Sequence, residues 1–89
     1  MKHSKTFKIT NKLGLHTRAA ALFVKVAGHF RSEIMVTKGK QTINGKSIMG
    51  ILTLAAACGS HIKVEAIGID SLEAIEKIGE LIKQGFNEK

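Results

Sequence analysis

Three strand-length segments of this chain alternate apolar and polar residues, and that alternation limits the fold more than any other feature. In Lys5 to Thr10, Phe7 and Ile9 fall on one face and Lys8 and Thr10 on the other. Glu33 to Lys38 places Ile34 and Val36 together, and His61 to Ile69 does the same with Ile62, Val64 and Ala66. Period-two patterning describes a strand with one face in a core and one in water. Strands covered on both sides would read as continuous apolar runs. The chain is therefore expected to build a sheet with one bare face.

Helical signals lie between these strands. Ala19 to Val26 is a helix-forming run with Gly28 as its stop. Ala20, Phe23, Ala27 and Phe30 share one face, with Val24 beside them. Gly39-Lys40 is a short turn from which Gln41 to Asn44 pairs back as a hairpin. Ser47 to Leu54 reads as a short helix with Ser47 as N-cap. Asp70 or Ser71 caps a last helix with a stripe of Leu72, Ile75, Ile78, Leu81 and Ile82. Asn11 to Leu15, which contains Gly14, and Ala55 to Gly59 are connections. The order β-α-β-β-α-β-α, with four strands, predicts a two-layer α+β domain.

Composition removes whole classes of function. A chain of 89 residues makes one domain, residues 1–89, with a shallow core. With 44% apolar and 24% charged residues it is globular rather than disordered. No apolar run approaches the roughly 20 residues of a membrane span. Met1-Lys2-His3-Ser4-Lys5 leads into no signal-peptide stretch. The single cysteine, Cys58, cannot build a disulfide framework or a zinc knuckle. The absence of proline and of repeats leaves no visible linker. A soluble cytoplasmic module without membrane insertion is expected.

Charge is uneven. Residues 1–46 hold ten bases and one acid, a balance of +9, whereas residues 47–89 hold four bases and six acids, a balance of −2. Such a surface suits an acidic partner, whether nucleic acid, anionic surface or acidic protein.

His16 is the position richest in chemistry. It follows the Gly14 turn and precedes the first helix, with Arg18 two residues on. A helix start offers free backbone N–H groups and a partial positive charge, so an anion is at home there. An imidazole at that point, with an arginine nearby, is placed to receive a phosphoryl group. Spacing alone also permits an ordinary loop histidine. Ser47 likewise reads as a plain N-cap. Ile48, Met49 and Leu52 cannot all face the core from so short a helix, while Ile51 and Leu54 are core candidates. Phe23 is also assigned to the core. His3 and His61 are expected to be solvated, and His29 to lie at the first helix's C-terminus. Cys58 reads as a small, partly buried hydrophobe. No two histidines have metal-ligand spacing, so no metal site is expected. Gly39 to Ser47 nearly spells a P-loop, but five residues separate Gly39 from Gly45 where the motif needs four.

Gly14-Leu15-His16-Thr17-Arg18-Ala19-Ala20 resembles the active-site motif of the HPr family, the histidine-containing phosphocarriers of the bacterial phosphoenolpyruvate-dependent sugar phosphotransferase system. Asn44-Gly45-Lys46-Ser47-Ile48-Met49-Gly50-Ile51-Leu52 resembles the family's second motif, around a regulatory serine. The motif separation, the length and the element order also match, so the resemblance covers essentially the whole chain. It implies an open-faced β-sandwich, with a four-stranded antiparallel sheet covered on one face by three helices. It further implies a carrier, not an enzyme that turns over substrate alone. Such a carrier takes a phosphoryl group from enzyme I and passes it to EIIA domains of sugar permeases, without a metal or organic cofactor of its own.

Carried over residue by residue, the resemblance makes His16 the acceptor through Nδ1 and gives Arg18 the neutralisation of phosphate charge. The backbone N–H groups of Thr17 and Arg18 form the phosphate cradle. Ser47 becomes the target of an HPr kinase/phosphorylase. Thr17, Ala21, Lys25, Lys46, Ile48, Met49 and Leu52 become the partner surface, with Lys25, Lys46 and Arg18 as a basic rim. A monomer suits a carrier that visits several partners. One departure stands out: the family usually has proline where this chain has Ala19. With His16 as N-cap, Ala19 is the third helical residue, where proline removes only an orphan donor. Alanine there costs about 0.4–1 kcal/mol through a freer unfolded chain, so the chemistry should survive.

Two other functions fit less well. The nitrogen-related phosphocarrier branch, NPr, uses the same chemistry for regulation, and the Lys46 to Gly50 match favours the sugar branch. A small basic nucleic-acid-binding domain suits the +9 half, but the strands lack aromatics for base stacking.

Overall fold

The computed structural model describes residues 1–88. Strand β1 is Lys2–Lys8, helix α1 Thr17–Ala27, β2 Glu33–Lys38, β3 Gln41–Asn44, α2 Ile48–Thr53, β4 His61–Ile67 and α3 Ser71–Lys83. The sheet runs β1-β4-β2-β3, with every neighbouring pair antiparallel. The expected α+β architecture is present, with three helices on a four-stranded antiparallel sheet.

The alternation seen in the sequence sorts the two faces. Phe7, Ile34, Val36, Ile62, Val64 and Ala66 point into the core with Ile9, while Lys8, Glu33, His61 and Lys63 stay exposed. Ala19, Ala20, Phe23 and Ala27 of α1, Ile51 of α2, and Ala74, Ile75, Ile78, Leu81 and Ile82 of α3 close the other side. Leu54 and Phe23 are core residues, as the pattern predicted.

Several boundaries and placements differ from expectation. Strand β1 begins at Lys2 rather than Lys5, because Lys2, His3 and Ser4 pair with Ile67, Ala66 and Glu65. These polar residues carry no period-two signal. At its other end, Ile9 continues the pairing only through Ser60 O and the Gly59 N–H. Strand β4 stops at Ile67 because Gly68 adopts φ +153° against Ser32, where an added Cβ would lie 2.7 Å from the Ser32 Cα. Helix α1 starts at Thr17 rather than Ala19, since His16 serves as N-cap.

Leu72 is exposed, not part of the buried stripe. At 3.6 residues per turn it lies roughly 120° around α3 from Ile78, and Ser71 takes the inward place instead. Ser71 Oγ lies 2.9 Å from Nδ1 of His3, so His3 is half-buried and bonded rather than solvated. Cys58 is exposed, with Sγ 3.6 Å from the Thr10 carbonyl. Asp70 is the N-cap position of α3, yet its carboxylate reaches across to Ser32 and the Arg31 N–H. The Ser32 hydroxyl and then the Arg31 N–H hold that carboxyl below its ordinary pKa.

Beyond α3 the chain makes one left-handed turn, with φ of +62° at Gly85, +56° at Phe86 and +58° at Asn87. Such a conformation costs roughly 1–2 kcal/mol per non-glycine residue. Burial of Phe86, 1% exposed, offsets the cost. Asn87 N–H to Gln84 O and Glu88 N–H to Gly85 O fix the reversal, which sends Glu88 back over the loop after β1. Phe86→Ala should therefore lower stability by about 3 kcal/mol. The same substitution should detach the tail, read as loss of protection at the Glu88 amide in hydrogen exchange alongside a lower Tm.

Candidate functional site

The loop from Asn11 to Leu15 is a closed turn. Gly14 N–H donates to Asn11 O at 3.1 Å, and the Asn11 side chain returns a bond from Nδ2 to Gly14 O at 2.8 Å. Asparagine and glycine suit these places because one bonds its own backbone and the other accepts positive φ. Gly14 has φ +66°, and a Cβ there would meet Ala56 O at 2.5 Å and Ala57 Cα at 2.9 Å. Leu15 N–H donates to Ala56 O at 2.9 Å. The loop leading into α1 is thus pressed against the loop leaving α2.

His16 follows as N-cap, with φ −78° and ψ −178°. Its carbonyl accepts the first helical bond, from Ala20 N–H. Its ring makes no capping bond, so the first-turn N–H groups, those of Thr17 and Arg18 among them, are left without an intrahelical acceptor. The imidazole is 30% exposed, and Nε2 lies 3.3 Å from the Glu88 carboxylate. Thr17, Arg18 and Ala21 are exposed beside it, and Ala19 is buried as the third helical residue. An imidazole, free helix-end donors and an arginine together can take up and release an anionic group.

The second motif lies at the far end of α2. Ser47 is the N-cap, its Oγ accepting from Gly50 N–H at 3.1 Å, and Asn44 Oδ1 accepts from Lys46 N–H at 2.9 Å. Ile48 is 41% exposed and Met49 72% exposed, so an apolar surface borders the serine. Leu52 is partly buried against the core. Lys25 is exposed in the last turn of α1. Lys46 donates its ammonium to Phe30 O at 2.6 Å and is half-buried. It lies against the chain just past α1, whose 11 residues span about 16 Å from the histidine end. The basic residues therefore line the length of α1 instead of crowding around His16.

Sequence reasoning missed Asn11 and Glu88. Asn11 is 5% exposed, and its Nδ2 donates to Glu88 Oε2 at 2.9 Å as well as to Gly14 O. Glu88 Oε1 accepts from Leu13 N–H at 3.1 Å. The Asn11 bond is the largest cause holding the Glu88 carboxyl below its ordinary value of 4.5. Desolvation opposes it, and Leu13 N–H and His16 add to the lowering. Nothing in the local sequence pairs residue 88 with this loop.

The fold is an open-faced sandwich with a partly exposed histidine at the start of α1. The profile described as PTS HPr component phosphorylation site matches residues 3–84, and the chain belongs to the HPr family of phosphocarriers. It is 47% identical over 83 residues to the phosphocarrier protein HPr of Neisseria meningitidis, covering 93% of each chain. It superposes on the crystal structure of HPr-C-His from Thermoanaerobacter tengcongensis with a TM-score of 0.94, at 45% identity and 98% coverage of both chains. The HPr of Bacillus anthracis gives 0.87 at 40% identity, covering 91% of this chain and 96% of that one.

The protein is thus a phosphocarrier of sugar phosphotransfer, not a free-standing enzyme. The nucleic-acid alternative gives way accordingly. Of the four phenylalanines, Phe7, Phe23 and Phe86 are buried and Phe30 is half-buried, so no phenylalanine ring is laid open on the surface to stack a base. Among the described residues no helix is long and apolar enough to cross a membrane.

The loop contact makes a specific demand on Gly14. Gly14→Ala should cost on the order of 2 kcal/mol or more, from positive φ and backbone overlap. Thermal unfolding should show a loss of about 10 °C.

Proposed function

We propose that His16 is the phosphoryl acceptor, taking the group from phospho-enzyme I on Nδ1 and giving it to EIIA domains. The observation that carries this reading is the half-exposed ring at the start of α1, uncommitted to capping. The Nδ1 lone pair attacks phosphorus, a P–N bond forms, and the bond to the donor breaks with its electron pair leaving on the donor. The reverse sequence discharges the group to the acceptor. Transferred oxygens meet the N–H groups of Thr17 and Arg18, and the Arg18 guanidinium neutralises charge as it passes. The chemistry needs no metal or organic cofactor within this chain.

Docking uses the apolar surface of Ile48 and Met49, with Thr17, Ala21 and the half-buried Leu52 nearer α1. Lys25 and Arg18 steer acidic partners toward it. Lys46 contributes through its backbone and stem, its ammonium being engaged with Phe30 O. The protein works as a monomer in the cytoplasm. Ser47 is the site of regulatory phosphorylation by an HPr kinase/phosphorylase. A phosphate there suits a helix start electrostatically, so its effect falls on the docking surface rather than on the fold.

Incubation with phosphoenolpyruvate, magnesium and enzyme I, followed by intact-mass measurement, tests the first assignment. One acid-labile phosphate on the native protein and none on His16→Ala is expected. Phosphate persisting on His16→Ala would remove the assignment. For the serine, Ser47→Asp should slow phosphorylation of His16 about tenfold while leaving Tm within about 2 °C. An unchanged rate would count against a regulatory role.

A further inference from the structure

The bare face of the sheet is unevenly charged along its strands. Register places Lys8 opposite His61, and Lys63 between Thr6 and Thr37. Thr37 in turn faces Thr42 across the hairpin. Continued past Thr37, the same register brings the Gly39-Lys40 turn level with His61. Neighbouring strands lie about 4.8 Å apart, so the four span about 14 Å. Bases run across that whole width at one end of the sheet: Lys8 on β1, His61 and Lys63 on β4, and Lys38 and Lys40 at the β2–β3 turn. Lys8, Lys40, His61 and Lys63 are exposed, and Lys38 is half-buried. Among the described residues none of these four lysines pairs with a carboxylate. The acids of the face are placed elsewhere. Glu65 is bonded to Lys2 at 2.6 Å, and that bond, more than the charge of Lys63, holds its carboxyl below the ordinary value. Glu33 lies level with Ile67, toward the opposite end.

We propose that this end of the bare face is a second interaction surface, which seats the protein reversibly on an anionic lipid surface with its helical side turned outward. Charge complementarity sets the sign of the partner, and what stands between the lysines sets its kind. The gaps hold Thr6, Thr37 and Thr42, short polar side chains, two of which bond each other through their hydroxyls at 2.8 Å. A protein partner needs an apolar centre to bury. A single nucleic-acid strand needs aromatic rings to stack its bases. This end of the face offers neither. A plane of lipid headgroups asks only for several long cationic side chains within reach of it, each strengthening adsorption about fivefold. Nothing has to insert into the bilayer. Arg18 and the exposed Ile48 and Met49 lie on the helical side. The surface is thus separate from His16 and does not rest on the reading of His16 as acceptor.

Co-sedimentation with vesicles tests this on the full chain at about 0.15 M salt. The chain should sediment with vesicles of phosphatidylglycerol and phosphatidylcholine in equal parts, and stay in solution with phosphatidylcholine alone. At about 1 M salt, where screening acts within about 3 Å, the association should be lost. Lys8→Gln combined with Lys63→Gln should lower the partition coefficient about 25-fold. Lys77→Gln combined with Lys83→Gln removes the same charge from α3 and should lower it less than about threefold. Tm controls report the fold of both double variants. A spin-labelled headgroup lipid then locates the contact. Amide NMR signals of Lys8, His61 and Lys63 should broaden, while those of Arg18 and Met49 persist.

No sedimentation with the anionic vesicles would overturn the proposal. So would equal losses in the two double variants, which would reduce the attraction to net charge. Broadening centred on α1 and α2 would place the contact on the wrong side of the sheet. Tighter binding to duplex DNA than to the vesicles, at equal phosphate and salt, would assign the surface to nucleic acid instead.

Discussion

One backbone hydrogen bond, Leu15 N–H to Ala56 O at 2.9 Å, joins the two halves of the working surface. It fastens the loop before α1 to the loop after α2, with Gly14 flat against Ala56 and Ala57. It acts with the Asn11–Gly14 turn to hold the segment leading into His16. With it, the histidine has a fixed height above the sheet and a fixed relation to α2. The two sequence motifs thereby become one object. The first supplies the histidine, and the second supplies the helix whose far end abuts the histidine loop.

That arrangement explains why the sheet leaves one face bare. The helices meet each other and the sheet on one side only: α1 against α2 and α3, and α3 across β1 and β4. His16, Arg18 and the exposed apolar residues of α2 are on the helical side. The bare face carries Lys8, Lys63, Glu33 and other polar residues, as a sheet face in water does. A domain this small has little core to share among tasks, so it segregates them by face.

Much of this was readable in the sequence because local rules and tertiary structure agree. The β2–β3 hairpin runs over the anticipated residues, since Gly39-Lys40 fixes its turn and strong alternation fixes β2. Ser47 caps α2 because cap chemistry is local. His16 heads α1 without a side-chain cap, its carbonyl accepting the first helical bond from Ala20 N–H. The unread parts are those decided by distant partners. Lys2 to Ser4 become strand only by finding β4, and Leu72 is excluded by geometry that its apolar character conceals. Lys46 resembled a free surface charge until Phe30 O claimed it. Glu88 is the clearest instance: an ordinary acid in a polar tail, given its place by a left-handed turn that no propensity scale favours.

The Asn11–Glu88 bond spans 77 residues, nearly the whole described chain. During synthesis the histidine segment emerges early, folds against whatever has followed it, and still lacks a neighbour. Only when residue 88 has cleared the ribosome does the ring acquire the carboxylate at Nε2. The surroundings of His16 are thus among the last features of the molecule to be completed. The same dependence makes them sensitive to any trimming of the chain's end that leaves the four strands and three helices intact.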